Sequence, residues 1–303
     1  MTFNEKLLRA AEKNKSWLCI GLDPDPEKMP PHLGTGSRAI LKFNRSIIES
    51  TSDLVCAYKP NSAFYEAFGP EGMKVLKKSI DSVPDGIPVI LDFKRGDIGN
   101  TAAMYARSAF EYYGADAVTV NPYLGKDSIE PFINYRDRGV IILCVTSNQS
   151  SNDIQKRLML LDEPPSLQNI VPLQKAKTAA EFLRYSTSTI YMHIASLAME
   201  WNRYGNIGLV VGATSPAELG KVRELVGEDM PILVPGVGAQ GGELESAAKA
   251  GSNSVGKMAI INVSRGIIYS DHGSSLKEAA RAKAIAYKEA IYNIVAGKRS
   301  AKK

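Results

Sequence analysis

Val89-Ile-Leu-Asp-Phe-Lys-Arg-Gly-Asp-Ile98 combines an apolar run with an abruptly charged end. The run is continuously apolar and rich in β-branched residues, the pattern of a strand buried on both faces. Asp92 and Lys94 stand two apart, so extended backbone sends both side chains to one face and Phe93 to the other. Asp97 follows just before a helical pattern. Two plain structural explanations exist: Asp97 caps the next helix, and Asp92 with Lys94 forms a solvated ion pair.

Seven further runs of the same kind flank this one. Together the eight are Trp17–Leu22, Leu54–Tyr58, Pro88–Phe93, Ala117–Val120, Val140–Val145, Ile207–Val211, Ile232–Val234 and Met258–Val263. Between them lie helical patterns, among them Arg38–Ser50, Thr101–Tyr113, Pro216–Val226 and Glu243–Ala250. Eight strand–helix alternations predict an α/β fold of the (β/α)8 TIM-barrel type, with residues 1–303 as one domain. An open, doubly wound sheet is the alternative, because periodicity does not show closure. Barrels of this kind carry their chemistry at the C-terminal ends of the strands. Two more strands end in charge, at Gly21-Leu-Asp23 and Tyr58-Lys-Pro-Asn61. Three charged ends in succession favour a functional cluster over solvated pairs.

The rhythm breaks between Asn148 and Asn206. Residues 148–172 are polar and turn-rich, which predicts a lid inserted after the fifth strand. Leu173–Asn202 has a helical pattern and would supply the regular covering helix.

The chemistry follows from the charges. A lysine flanked by carboxylates stays an ammonium. Such an ammonium can stabilise a carbanion forming beside it and then protonate it. A second anionic handle is expected at the far end of the chain. Val234-Pro-Gly-Val-Gly-Ala-Gln-Gly-Gly-Glu243 satisfies G-x-G-x-x-G, but it lies late in the chain and the next strand ends in Asn262-Val-Ser-Arg265. A dinucleotide fold needs the motif at a first strand, with an acid about twenty residues on. What remains is a phosphate-binding loop after strand seven and an arginine, Arg265, after strand eight, the usual place for a barrel's phosphate site.

Composition excludes several classes. Four of the last six residues, 298–303, are Lys or Arg; without them the formal net charge of +5 falls to +1, so the basic bias is a flexible tail and no nucleic-acid partner is expected. Cys19, Cys56 and Cys144 show no metal or disulfide spacing and read as buried thiols. No apolar stretch approaches the ~18 residues of a membrane span, and no leader is evident, so a cytoplasmic protein is expected.

Gly21-Leu-Asp-Pro24, Lys59-Pro-Asn61, Asp92-Phe-Lys-Arg-Gly-Asp-Ile98 with Thr101, Pro235-Gly-Val-Gly-Ala-Gln240 and Ser264-Arg265 together closely resemble the orotidine 5′-monophosphate decarboxylases, in particular their longer-chain branch. The resemblance implies a cofactor-free and metal-free enzyme converting orotidine 5′-monophosphate to uridine 5′-monophosphate. Lys94 would protonate C6 after carbon dioxide leaves, Asp92 would lie beside the departing carboxylate, and Lys59 would join the charge network. Asp23 and Asn61 would serve the ribose, and Thr146 or Ser147 the pyrimidine. Gln240 would bridge base and phosphate, with Pro235, Ser264 and Arg265 around the phosphate. Asp97, Ile98 and Thr101 would reach into the partner subunit's site, making a homodimer with shared sites. Two rivals remain: a Mg²⁺-dependent enediolate enzyme on the same barrel, for which Glu66 would be the extra acid, and a non-catalytic uridine-nucleotide sensor.

Overall fold

In the computed structural model, which describes residues 1–160, 187–238, 241–270 and 275–300, the apolar runs become β1 (Leu18–Leu22), β2 (Ala57–Pro60), β3 (Ile90–Arg95), β4 (Ala117–Val120), β5 (Gly139–Val145), β6 (Leu158–Leu160), β7 (Thr187–Thr189), β8 (Ile207–Val211), β9 (Ile232–Val234) and β10 (Ala259–Val263). Gln240, residues 161–172 of the expected lid and 301–303 of the basic tail lie outside the described residues. Eight of the strands form one parallel sheet in the order β2-β1-β10-β9-β8-β5-β4-β3. Its two ends meet through bridges Tyr58–Val89 and Asn61–Asp92. The Tyr58 N–H donates to the Pro88 carbonyl at 3.1 Å and the Ser62 N–H to the Asp92 carbonyl at 3.2 Å. The sheet therefore closes into a (β/α)8 barrel, and the open-sheet alternative falls away.

Burial explains the pattern. Every residue of β1, β2, β4, β8, β9 and β10 is buried, because helices cover one face and the barrel interior fills the other. Helix Gly36–Thr51 turns Ile40, Phe43 and Ile47 into the core at three- and four-residue spacing. Each such burial stabilises by ~1.5–3 kcal/mol. At the base of the barrel the buried Arg223 guanidinium donates to the carbonyls of Gly251 (2.8 Å), Gly227 (2.8 Å), Met230 (2.9 Å) and Met258 (3.0 Å). It ties helix Pro216–Val226 to the end of helix Leu244–Gly251 and to the approaches of β9 and β10.

Two expectations need correction. β2 begins at Ala57 and runs on to Pro60, whereas the apolar run stops at Tyr58. Lys59 continues the strand because its ammonium is paired inside the barrel and not solvated. Within Leu173–Asn202, read as helical throughout, Thr187–Thr189 is instead a strand, paired antiparallel to β6 in a hairpin, and the helix begins only at Ile190. Thr-Ser-Thr favours extended backbone, since β-branched side chains lose rotamer freedom in a helix. The three cysteines are free and buried, and burial pushes the Cys19 thiol up to about 12, which keeps it protonated. Among the described residues no helix is long and apolar enough to cross a membrane.

Candidate active site

A cavity of about 540 Å³ opens at the C-terminal ends of the strands. At its floor stands Asp92, 6% exposed, with both oxygens engaged. Lys59 Nζ donates to Oδ2 at 2.8 Å, while Lys94 Nζ (2.5 Å) and Thr119 Oγ1 (2.8 Å) donate to Oδ1. Burial by itself would raise the Asp92 pKa, but the two ammonium groups outweigh it and hold the carboxyl far below its usual range. Burial would likewise depress Lys59, and the Asp92 and Asp23 carboxylates together reverse that and lift it above the ordinary lysine value. Asp92 and Lys59 are thus fixed in their charged forms. The two lysines differ in access: the Lys59 side chain is 4% exposed and the Lys94 side chain 45%.

Local backbone sets that difference. The β3–β4 register shifts between Leu91 and Arg95, and Lys94 sits at φ 47°, in the left-handed region that a non-glycine residue occupies at a cost. The Lys94 N–H is held by Thr119 Oγ1 at 3.1 Å. The irregularity keeps Asp92 and Lys94 on the inner face and brings the ammonium to the rim. Phe93 points outward, edge-on to Phe132. Arg95 also leaves the interior, pairing with Glu66 and lying over the rings of Phe93 and Tyr105. Glu66 is thereby turned away from the cavity, so the acid required by the enediolate rival is not delivered to it.

The remaining walls come from other strand ends. Asp23 follows β1, and its Oδ1 is buried with no hydrogen-bond partner. The Tyr269 hydroxyl donates to the Asp23 carbonyl at 2.8 Å and accepts from the Asp25 N–H at 2.5 Å; its ring stacks on Phe43. Tyr65 donates to the Leu22 carbonyl at 2.9 Å, so the end of β1 is held from two sides. Gly21 is required here: a Cβ would stand 2.7 Å from Ser264 Cβ and 3.0 Å from Asp23 Oδ2. Just after β5, Gln155 from the insertion clamps Thr146, its Oε1 accepting from the Thr146 N–H at 2.8 Å.

Opposite the charge array lie Pro235, Gly236 and Val237 after β9, with Ser264 and Arg265 after β10. Gly236 has φ 94°, a conformation that suits glycine and opens the turn toward the cavity. Arg265 begins the short helix Arg265–Ile268 at the rim. The arrangement sets a Lys–Asp–Lys charge array on one wall and an arginine on the opposite one, so the cavity can hold a ligand whose anionic group lies at a distance from the array.

Of the residues singled out in the sequence, Asp23, Lys59, Asn61, Asp92, Lys94, Thr146, Ser147, Pro235, Ser264 and Arg265 line this one cavity. Asp97, Ile98 and Thr101 do not. The Asp97 carboxylate accepts from the Ile98 N–H at 2.8 Å, and Ile98 is 54% exposed on the outer surface. The residue preceding helix Gly99–Arg107 is Ile98, so Asp97 is not its cap. Sequence reasoning passed over Thr119 and Asn262, both buried in the cavity wall. The signal was present: each is the single polar residue of an otherwise apolar strand, Ala117-Val-Thr-Val120 and Ala259-Ile-Ile-Asn-Val263.

Comparison with known proteins agrees with this geometry. Residues 16–282 match the model of the orotidine 5′-phosphate decarboxylase / HUMPS family. The chain is 46% identical over 292 residues to orotidine 5′-phosphate decarboxylase of Roseiflexus sp. (strain RS-1), covering 96% of this chain and 97% of that one. It is 47% identical over 286 residues to the Herpetosiphon aurantiacus protein of the same name, covering 94% and 96%. The structure of Leishmania donovani OMP decarboxylase superposes with a TM-score of 0.79 at 38% identity, over 97% of this chain and 99% of that one. Leishmania donovani UMP synthase gives 0.81 at 39% identity, but this chain spans only 57% of it. With a family model over most of its length and relatives near half identical throughout, the chain belongs to the orotidine 5′-phosphate decarboxylase / HUMPS family.

Proposed function

We propose that the chain decarboxylates orotidine 5′-monophosphate to uridine 5′-monophosphate, with Lys59, Asp92 and Lys94 as the chemical centre and Arg265 as the phosphate grip. The observation that carries this reading is the buried Asp92 carboxylate shared by two ammonium groups, one enclosed and one at the rim. The C6–carboxylate bond breaks, carbon dioxide leaves, and the electron pair stays on C6. Lys94 stabilises that carbanion by its charge and then transfers a proton to it, recovering one from solvent. One proton is consumed and one carbon dioxide released per turnover. Asp92 holds Lys94 in place, and Lys59 keeps Asp92 ionised. Asp23 and Asn61 serve the ribose, Thr146 or Ser147 the base, and Pro235, Ser264 and, outside the described residues, Gln240 the phosphate side. No step calls for a metal or organic cofactor.

The reading includes a homodimer with shared sites. Ile98, Met104, Tyr123 and Leu124 are 54%, 60%, 83% and 46% exposed, on helix Gly99–Arg107 and on the loops after β3 and β4. Exposed apolar side chains on adjacent elements fit a subunit interface, and Asp97, Ile98 and Thr101 would cross it to the partner's cavity. The part of the expected lid that is described, residues 148–160, covers the single barrel domain's mouth from one side, which Asn148 on the cavity wall and Gln155 on Thr146 support; the rest of 148–172 lies outside the described residues.

Purified protein incubated with orotidine 5′-monophosphate and a chelator should lose the substrate's absorbance, and Lys94→Ala should lower the rate by at least ~10³-fold. Wild-type inactivity would overturn the assignment. Activity abolished by chelator would restore the enediolate rival, and tight uridine-nucleotide binding without turnover the sensor.

A further inference from the structure

Thr146, Ser147 and Asn148 follow β5 and form one wall of the cavity, and Gln155 stands behind that wall. The half-buried Gln155 side chain meets Thr146 with both ends of its carboxamide. Its Oε1 accepts from the Thr146 N–H at 2.8 Å, and its Nε2 donates to Thr146 Oγ1 at 2.8 Å. The Thr146 hydroxyl donates to Asn148 Oδ1 at 2.6 Å, the shorter of its two acceptor contacts. The N–H and the hydroxyl of Thr146 are both spent in this way. The Gln155 backbone is anchored as well. Its N–H donates to the Ser151 carbonyl at 2.9 Å, and its carbonyl accepts at 2.9 Å from the N–H of Tyr191, in the first turn of helix Ile190–Trp201. Tyr191 is tied back to β5, its carbonyl accepting from Cys144 Sγ at 3.2 Å. On the other side, Gly212 packs directly on Ser147, where a Cβ would stand 2.8 Å from the Ser147 N and Cα. Thr214 Oγ1 donates to the Ser147 carbonyl at 3.3 Å.

We infer that Gln155 is a positioning residue for base recognition: by locking Thr146 it sets the backbone of Ser147 and Asn148 against the pyrimidine of the bound substrate. The inference rests on the decarboxylase reading and narrows its choice between Thr146 and Ser147. A base edge is read by a donor and an acceptor at fixed separation. Thr146 already gives its pair to the Gln155 carboxamide, which carries the same C=O and N–H as an imide edge. Thr146 is therefore the anchor, and Ser147 meets the base. Rigidity is what makes such a wall selective. A uracil edge presents a carbonyl acceptor and an N–H donor, whereas a cytosine edge presents a ring-nitrogen acceptor and an amino donor. A wall held in one register pairs with the first and leaves the second mismatched; a loosened wall adapts to either.

The test compares wild type, Gln155→Leu and Gln155→Glu in turnover of orotidine 5′-monophosphate. Titration calorimetry with uridine 5′-monophosphate and cytidine 5′-monophosphate reads base discrimination without turnover. Gln155→Leu should raise KM about tenfold and leave kcat within about threefold, because Lys94 and Asp92 are untouched. It should weaken the uridine nucleotide about tenfold and the cytidine nucleotide by less than twofold, so that discrimination narrows. Gln155→Glu keeps the acceptor for the Thr146 N–H and should stay within about threefold of wild type in KM. Equal weakening of both nucleotides would show a merely structural role and overturn the inference, as would an unchanged KM. A lower KM in Gln155→Leu would also overturn it, since the carboxamide would then be competing for the base's own place. Should Gln155→Leu fail to fold, Gln155→Ala decides by the same measurements. Wild-type inactivity is a separate outcome, because it removes the decarboxylase reading whichever way the two nucleotides bind.

Discussion

Asp92→Asn should destabilise the protein more than any other single change at the cavity, and the structure gives the size. The substitution keeps shape and volume but removes the charge that two lysines share. Lys94, with nearly half its side chain exposed, can turn to solvent. Lys59 cannot: its side chain is 4% exposed, and among the described residues Asp92 is the one carboxylate it hydrogen-bonds, Asp23 acting only through its charge from further off. A buried charge stripped of its paired partner costs about 3–5 kcal/mol, an upper bound here because the Asp23 carboxylate remains. For 303 residues, an unfolding entropy of about 2.1 cal/mol/K per residue gives roughly 0.6 kcal/mol per kelvin, so the melting temperature should fall by roughly 5–8 °C. Lys59→Met should cost less, because Asp92 retains Lys94 and Thr119. The decisive assay is a cycle of wild type, both single variants and the double variant, followed by denaturant unfolding. The double variant should be more stable than Asp92→Asn, since the stranded ammonium is gone. A single variant within 1 kcal/mol of wild type, or a double variant no better than Asp92→Asn, would refute the claim that the pair is held by burial.

Three further outcomes follow from the same geometry. Thr119→Val deletes the hydroxyl bridging Asp92 and the Lys94 N–H, so turnover should fall about tenfold and stability by ~1–2 kcal/mol, with Thr119→Ser recovering most of both in paired kinetic and melting measurements. The Asp92–Lys59 pair should stabilise across neutral pH. Asp92 is depressed on folding, so its contribution is full above the unfolded carboxylate value near ~4 and is lost only in strong acid. Lys59 is raised, so its contribution is full below the unfolded lysine value near ~10.4 and is lost above it. Unfolding titrations in which Asp92→Asn shows the same pH dependence as wild type at both extremes would contradict this. Finally, mixing inactive Lys94→Ala and Asp97→Ala chains should restore up to about a quarter of the activity per site, because half of randomly mixed dimers are hybrids and each hybrid holds one intact shared site. No recovery after verified subunit exchange would remove Asp97 from the partner's cavity.

The eight strands were legible because a parallel strand covered on both faces must be apolar throughout, and the run ending at Phe93 announces that directly. The charged ends of β1, β2 and β3 were legible for the complementary reason: charge at the end of an apolar run has no packing role. Thr119 and Asn262 were not, because a lone polar residue in an apolar strand acquires meaning only when closure brings strands distant in sequence to one interior. Lys94's left-handed backbone was equally hidden, since the period-two argument needs only that Asp92 and Lys94 share a face and is silent on the bulge that achieves it. The hairpin of β6 and β7 escaped because its partners are separated by the long insertion and neither strand is apolar enough to stand out. Glu66 shows the converse: its nearness to a charged strand end made it a plausible ligand, and only the outward course of Arg95 removes it.

Arg223 sets the base of the barrel apart from its mouth. Its buried charge is answered by four carbonyls, two of them at helix C-terminal ends where the backbone dipoles gather negative charge. None of these acceptors titrates. The mouth, in contrast, is cemented by a carboxylate, which acid can eventually neutralise. Acid therefore acts on the two ends of the barrel differently: at the mouth it can remove the charge of Asp92, whereas at the base the carbonyls that hold Arg223 offer it nothing to protonate.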